Sequence, residues 1–375
     1  MKPPTTAPLS ALRPAADLYG DVVTAYVDVS RTNEDGVHEV EVHAENLRRQ
    51  LLDAGADDAL VESVSARVLE PTGLGGETSR VIVAHGNELV TDALLAGAFP
   101  TRAHHGPIAH LLDLARATAD ELRYAVVRVD RTGADITVAG TAGPDRRELA
   151  SEGDHDVLHK YKGGGWSHRR FQMRVEDSIE RNAEAVAGDL DSLVVNERID
   201  VVLLAGEPTS CSSVRESAGA KLAERLEILE HGGRAEGATD ERLDEDVAAA
   251  LERRRTARLD VVLERLGGGA KAVGVGETVE ALRRGEVETL LLLEGALEGR
   301  QAYVGAEPLL LGHSPEELQA FGVDEPAITR LDEAMVRAAI GQDADLVPLR
   351  APVGLLPDGV GAVLRFDSRP ELTST

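Results

Sequence analysis

The apolar residues of this chain recur with two spacings, and each change of spacing marks an element. Residues 21–29 (DVVTAYVDV) are rich in β-branched side chains with partial alternation, which predicts a strand. Val40, Ala44, Leu47, Leu51 and Leu52 follow at helical spacing and predict a helix over 39–54, with Gly55 as its stop. The helical pattern repeats over 57–69 until Pro71-Thr72-Gly73 ends it. Residues 80–84 and 88–94 predict the two strands of a hairpin around His85-Gly86-Asn87. Residues 100–107 read as irregular, and 108–122 as weakly helical.

Further along, strands and helices alternate. Residues 124–129 and 134–139 predict strands joined by the turn 130–133. Val175, Ile179, Ala183, Val186 and Leu190 line one face of a helix that would be about 40 Å long if it ran over 170–196. Residues 199–205 (IDVVLLA) form an unbroken apolar run, as expected of a strand covered on both faces. A helix is predicted over 212–229, a linker over 231–240 (HGGRAEGATD), and a helix over 244–266 that Gly267-Gly268-Gly269 breaks. A helix over 278–284 leads into a buried strand over 289–293. Ser314-Pro315-Glu316-Glu317 is a capping box with Pro in the first turn. A helix over 335–340 and a strand over 361–366 (GAVLRF) close the chain. The expected class is α/β, with three domains of mixed sheets covered by helices: 1–120, 121–235 and 236–375.

The composition fits that size. With 375 residues and 42% hydrophobic content the chain can bury several cores, and with aromatics at 3% those cores must be mostly Leu, Val and Ala. The single Cys211 excludes an intramolecular disulfide and fits a reducing cytoplasm. Residues 1–14 hold no apolar run of the kind a signal peptide needs, and no window approaches the ~18 apolar residues of a membrane span. The formal charge of −26 argues against non-specific nucleic-acid binding by the whole surface and against DNA as a partner. It leaves room for one focused basic site, because phosphate contact depends on local potential.

One stretch supplies such a site. Residues 159–171 read HKYKGGGWSHRRF and contain three consecutive glycines and the only tryptophan. From Lys160 to Arg174 there are five basic residues and no acidic one, so this window is +5 on a remainder of −31. A glycine-hinged basic tip on an acidic body is suited to being pressed against an anionic surface. Lys160, Lys162, Gly163, Gly164, Gly165, Trp166, Ser167, His168, Arg169, Arg170 and Arg174 are the candidate RNA-binding residues. Trp166 can stack on a base, and Lys160, Lys162, Arg169, Arg170 and Arg174 can contact phosphates. The plainer alternative is a solvated basic loop whose Trp packs on its own domain.

The frame around that tip resembles the archaeal and eukaryotic class I release factors. They carry a Gly-Gly-Gln loop, then Ser, a few variable residues, Arg-Phe and a long charged helix. Here Gly164-Gly165-Trp166-Ser167-His168-Arg169-Arg170-Phe171 stands in that frame, ahead of 172–187 (QMRVEDSIERNAEAVA). His159-Lys160, residues 199–206 (IDVVLLAG), 274–282 (GVGETVEAL), 285–291 (GEVETLL) and the closing GAVLRF extend the resemblance over about 121–375. The Asn-Ile-Lys-Ser stop-codon motif of the eukaryotic first domain is absent. The better match is the bacterial branch of the release-factor/Pelota superfamily, with hibernation factors of the Balon type and proteins labelled peptidyl-tRNA hydrolases of the Vms/Ankzf type.

The resemblance implies a cytoplasmic factor that binds the ribosomal A site and presents the loop to the peptidyl-transferase centre, without a cofactor. The first domain would point toward the decoding region, and the third toward proteins, with elongation factor Tu as the candidate. Neither register of the paired glycines places Gln after them. The expected function is therefore to occupy the site and cause hibernation under stress. Hydrolysis of peptidyl-tRNA in ribosome rescue is the alternative, because the backbone N–H of Trp166 remains to stabilise an oxyanion.

Other candidates read more simply. Residues 267–276 (GGGAKAVGVG) lack the ending of a P-loop and read as a loop leading into a strand. Arg253, Arg254, Arg255 and Arg258 read as a solvated helix face, with RNA or a GTPase partner as the alternative. His104, His105 and His110 lack companions at ligand spacing, so no metal is expected. His155, Asp156 and His159 are expected to position the loop or to belong to a hairpin turn.

Overall fold

The computed structural model describes residues 9–32, 35–131, 133–143, 146–152, 159–160, 177–232 and 240–366. In chain order the first segment contains α1 (Arg13–Ala16), β1 (Val22–Asp28), α2 (Gly36–Asp53), α3 (Asp58–Leu69), β2 (Thr78–His85), β3 (Glu88–Ala96), β4 (Arg102–Gly106) and α4 (Leu112–Ala119). The middle of the chain forms β5 (Arg123–Asp130), β6 (Gly133–Gly140), β7 (Arg146–Glu152), β8 (His159–Lys160), α5 (Asp177–Asn196), β9 (Val201–Gly206), α6 (Pro208–Ser217), α7 (Ala220–Ala223), β10 (Leu226–Ile228) and α8 (Asp240–Gly268). The last segment contains β11 (Lys271–Val273), α9 (Gly274–Arg283), β12 (Val287–Leu293), β13 (Gln301–Val304) and β14 (Leu311–Gly312). It continues with α10 (Pro315–Gln319), β15 (Ala327–Arg330), α11 (Leu331–Gly341), β16 (Asp345–Leu349) and β17 (Val360–Leu364). The class is α/β, with mixed sheets covered by helices.

These elements form two compact units, 1–121 with 142–144 and 259–375, and 122–141 with 145–258. The boundary between units falls inside α8. The first unit therefore contains both the first and the last segment of the chain.

In the first unit, β3-β2-β1-β4 form an antiparallel sheet. One face of β1, with Val23, Ala25 and Val27, is covered by Val40, Ala44, Leu47 and Leu51 of α2 and by Leu60, Val61, Val64 and Val68 of α3. The other face, with Val22 and Tyr26, packs into a core shared with α4 and α11. Burial on both faces explains why β1 and β2 read as near-continuous apolar runs and not as clean alternation. The last segment supplies a mixed sheet, β11-β17-β12-β16, and a small antiparallel one, β14-β13-β15. Between these layers runs α11, buried from Leu331 to Ile340.

The second unit is built on one mixed sheet, β10-β9-β5-β6-β7-β8. Strands β10, β9 and β5 are parallel, and β5 to β8 form an antiparallel meander. Helices α5, α6 and α7 cover one face through Ala183, Val186, Ala187, Leu190, Val214 and Leu222. The other face of β9, with Val201, Leu203 and Ala205, packs on Leu243, Val247, Ala250 and Leu251 of α8. The unbroken run of β9 is covered on both sides, as its sequence requires. The compact unit thus continues past residue 235, where composition had suggested a boundary, because the first half of α8 supplies this second layer.

Three elements correct the sequence reading. Residues 100–107 contain β4, which bonds to β1 in register from Val22↔Gly106 to Tyr26↔Arg102. The helix expected over 212–229 ends at Ser217, and Leu226–Ile228 instead joins β9 in parallel. Strand β7, with the charged sequence RRELASE, had no apolar pattern to reveal it and is held by the β6 ladder. The long helix is described from Asp177, so its expected start near residue 170 lies outside the described residues.

Candidate functional site

Of the candidate residues, Lys162, Gly163, Gly164, Gly165, Trp166, Ser167, His168, Arg169, Arg170 and Arg174 lie outside the described residues, as do His155 and Asp156. Lys160 falls in β8, with its backbone opposite Leu149 and that of His159 opposite Ala150. The structure therefore describes the frame of the loop: an edge strand on one side and α5 on the other.

That frame is tied together at several points. The Ser151 hydroxyl of β7, buried at 1% exposure, donates to Asp189 Oδ2 of α5 at 2.6 Å. At the far end of α5, Glu197 accepts from Arg123 of β5 at 3.1 Å and from Arg147 of β7. Burial pushes the Glu197 carboxyl up, but the hydrogen bond and charge of Arg147, seconded by Arg123, outweigh it and hold the group below its usual range. Near the start of α5, Asn182 Nδ2 donates to the Arg131 carbonyl at 2.8 Å. Arg131 makes a two-point contact with Glu207, at 2.9 and 2.5 Å. The start of α5 thus lies on the side where the parallel strands β5 and β9 end. Open α/β sheets commonly place ligands at that edge.

Gly206 ends β9 there with φ +148°, opposite Val129 of β5. A Cβ at this position would lie well inside contact distance of the Val129 carbonyl oxygen and 3.0 Å from its carbon. The Ala-Gly ending of this strand therefore has a physical cause: only glycine lets the two parallel strands approach this closely where they end.

The other sequence candidates have ordinary partners. Arg253 pairs with Glu227, Arg255 with Glu252 at 3.6 Å, and Arg258 with Asp200 at 2.7 Å. That part of the basic run is neutralised along α8. At the start of α9, Asp358 accepts from Val275 N at 3.3 Å and Glu277 accepts from Val273 N at 3.0 Å. Carboxylates of the chain itself occupy these amides, the opposite of a phosphate cradle. Among the described residues no three His, Cys, Asp or Glu side chains are placed to hold a metal ion. No helix among them is long and apolar enough to cross a membrane.

The sequence reading missed a buried polar group in the first unit. His104 and His110 stack with ring centroids 3.3 Å apart. Glu333 of α11 lies 3.9 Å from His110 and accepts from Leu112 N at 2.9 Å. One turn later, Arg337 is 1% exposed and donates to the carbonyls of Ala16, Gly305 and Ala306 at 2.7, 2.9 and 2.6 Å. The available signal was Glu333 and Arg337 at i, i+4 in the otherwise apolar run 333–340 (EAMVRAAI).

Comparison with known proteins adds several similarities to this geometry. An uncharacterized protein of Mycobacterium tuberculosis, Rv2629 in strain H37Rv, is 28% identical over 369 residues, covering 95% of this chain and 96% of its own. Its counterpart MT2704 in strain CDC 1551 matches equally. A ribosome-bound archaeal Pelota, solved as a model with ABCE1, is similar at 15% identity, 98% and 96% coverage and a TM-score of 0.41. Dom34 of S. cerevisiae gives 8% identity, 98% and 96% coverage and a TM-score of 0.39. The model of bacterial archaeo-eukaryotic release factor family 2 matches residues 123–270, from the start of β5 through the end of α8 and across the whole glycine-rich basic loop. That match spans the loop and both parts of its frame, and over this stretch the chain is similar to the bacterial archaeo-eukaryotic release factors.

Proposed function

We propose that this protein is a ribosome-associated translation factor that occupies the A site of the bacterial ribosome. In this reading the loop from Gly163 to Arg170 reaches the peptidyl-transferase centre, and the factor holds the ribosome in hibernation under stress. The observation that carries the proposal is the family match across 123–270, which includes the loop 163–170, together with Trp166 at the position where the release factors have Gln. Paired glycines keep the tip thin enough for a narrow site. Trp166 supplies a stacking face and the flanking Lys and Arg supply phosphate contacts, while the side chain most closely tied to hydrolysis is replaced. The contact would be to ribosomal RNA, in the cytoplasm, and the last segment would face a protein partner such as elongation factor Tu.

Cosedimentation with 70S ribosomes tests the binding. Trp166→Ala combined with Arg169→Ala and Arg170→Ala is expected to weaken association by roughly 10- to 100-fold, since one base stack is worth about 1–3 kcal/mol. The salt dependence should lose about two phosphate contacts. Unchanged affinity and salt slope would contradict a role for the loop.

A second reading, peptidyl-tRNA hydrolysis during ribosome rescue, is favoured by the backbone N–H of Trp166, which a side-chain change leaves in place as an oxyanion donor. Release of labelled peptide from loaded ribosomes separates the two readings. The wild type is expected to release little and Trp166→Gln to release more. Rapid release by the wild type that the loop variant abolishes would establish the hydrolase instead.

A further inference from the structure

The first unit is closed by a seam between residues 9–121 and 259–366, and α11 lies along it. A purely apolar helix would suffice to join the two segments. This one instead buries Glu333 and Arg337 one turn apart, both bonded to the first segment. Arg337 is satisfied by several carbonyls. Glu333 has one hydrogen bond, from Leu112 N, and its other oxygen looks toward His110 at 3.9 Å. His110 is stacked on His104, and the Nε2 atoms of both rings are buried without a hydrogen-bond partner.

The surrounding charges are committed elsewhere. On β4, Arg102 pairs with Asp113 of α4 and lies 4.3 Å over the Tyr26 ring of β1. The Tyr26 hydroxyl donates to the His110 carbonyl at 3.1 Å and accepts from Leu114 N at 3.2 Å. Arg330, at the end of β15, makes a two-point contact with Asp332 at 3.0 and 2.5 Å. His105 turns away to the Ala54 carbonyl at 3.0 Å, with Asp21 3.8 Å from its other nitrogen. Among the described residues, no cation is within salt-bridge distance of Glu333 except His110, should that ring take up a proton.

We propose that Glu333, His110 and His104 form a proton-operated clasp that closes the seam best near neutrality and loosens it on either side. Its two kinds of member act with opposite signs. Burial pulls His104 down from 6.5 to about 4 and His110 to about 2, so both rings gain protons when the seam opens. Their contribution is complete above pH 6.5 and is lost as the solution becomes more acidic. Burial pushes Glu333 up from 4.5 to about 8, so it is a neutral acid in the closed seam and releases its proton on opening. Its contribution is complete below pH 4.5 and is lost as pH rises toward 8. From pH 4.5 to 6.5 two imidazoles oppose one carboxyl, and closure strengthens with pH by about one net proton. From 6.5 to 8 Glu333 titrates alone, and closure weakens by roughly tenfold per pH unit.

Hydrogen exchange of the full-length protein between pH 5 and 8.5, corrected for intrinsic base catalysis, tests the clasp. Peptides spanning α11 should show an opening constant with a minimum near pH 6.5, rising about tenfold by pH 7.5 and again by pH 5.5. Peptides from β5 and β9 serve as the internal reference and should show no such minimum. Glu333→Gln, which keeps an acceptor for Leu112 N, should flatten the alkaline limb to less than about a twofold change while the acid limb remains. A flat wild-type profile, an unaltered alkaline limb in Glu333→Gln, or the same profile in the β5 and β9 peptides would overturn the proposal. If Glu333→Gln fails to fold, carbon-13 NMR titration of the wild-type Glu333 carboxyl decides. A midpoint well above the ordinary carboxylate range supports the clasp, and a midpoint within that range overturns it.

Discussion

Replacing Gly206 by Ala should unfold or severely weaken the sheet that carries the loop. The new Cβ collides with the Val129 backbone, and φ +148° is a conformation L side chains rarely adopt. Backbone strain of this kind costs about 1–3 kcal/mol, and overpacking a closed site costs about as much again. The expected loss is therefore about 2–6 kcal/mol, a large share of the roughly 5–15 kcal/mol that holds a typical domain. Relief is not available from a side-chain movement, because the obstructing atoms are backbone in the neighbouring strand. Calorimetry of the full chain should show the transition of the 122–258 unit moved down or missing, with the transition of the other unit retained. A loss below about 1 kcal/mol in urea denaturation would mean that β5 and β9 can separate at this edge without cost.

Arg337→Met should have the largest effect in the other unit. The guanidinium is 1% exposed and bridges the Ala16 carbonyl of the first segment to those of Gly305 and Ala306 in the last. Burial pulls its pKa down to about 10, which still leaves it a cation at neutral pH. Carbonyl dipoles surround that cation, and among the described residues no carboxylate lies within salt-bridge distance of it. Met restores much of the volume but leaves three strong acceptors without a donor. The expected cost is about 3–5 kcal/mol, the range for breaking a buried charged network by removing one member. Arg337→Lys should fall between wild type and Met, because one ammonium cannot follow the fork of the guanidinium. If Lys and Met were equally destabilised, the planar geometry and not the charge would be the stabilising property. If neither moved the urea midpoint, the seam would derive no stability from this side chain.

Much of the second unit was legible in the sequence. The turn 130–133, the unbroken apolar run of β9 and the helical stripe from Ala183 to Leu190 are local patterns, and each occurs where its pattern required. The glycine-rich basic stretch was equally visible, because three glycines, one Trp and five basic residues are a matter of composition and order. Strands β4, β7 and β10 were not legible. Their residues, RAHHG, RRELASE and LEI, carry no strong strand signal, and each is a strand because a neighbouring ladder supplies its hydrogen bonds. The α8 helix was legible as a helix, but nothing in its own sequence says that its first half covers β9.

The sequence by itself determined the α/β class, the strands β5, β6 and β9 of the central sheet, and the basic loop with the release-factor-like frame around it. These follow from periodicity and residue order, which act over a few residues at a time. Only the tertiary structure decided which segments share a unit, where Gly206 is indispensable, and that Glu333 and Arg337 face the first segment. Leu112 and Glu333 are 221 residues apart, and Ala16 and Arg337 are 321 apart. A buried charge is tolerated or ruinous according to the partners that folding brings to it, and those partners come from the far end of the chain.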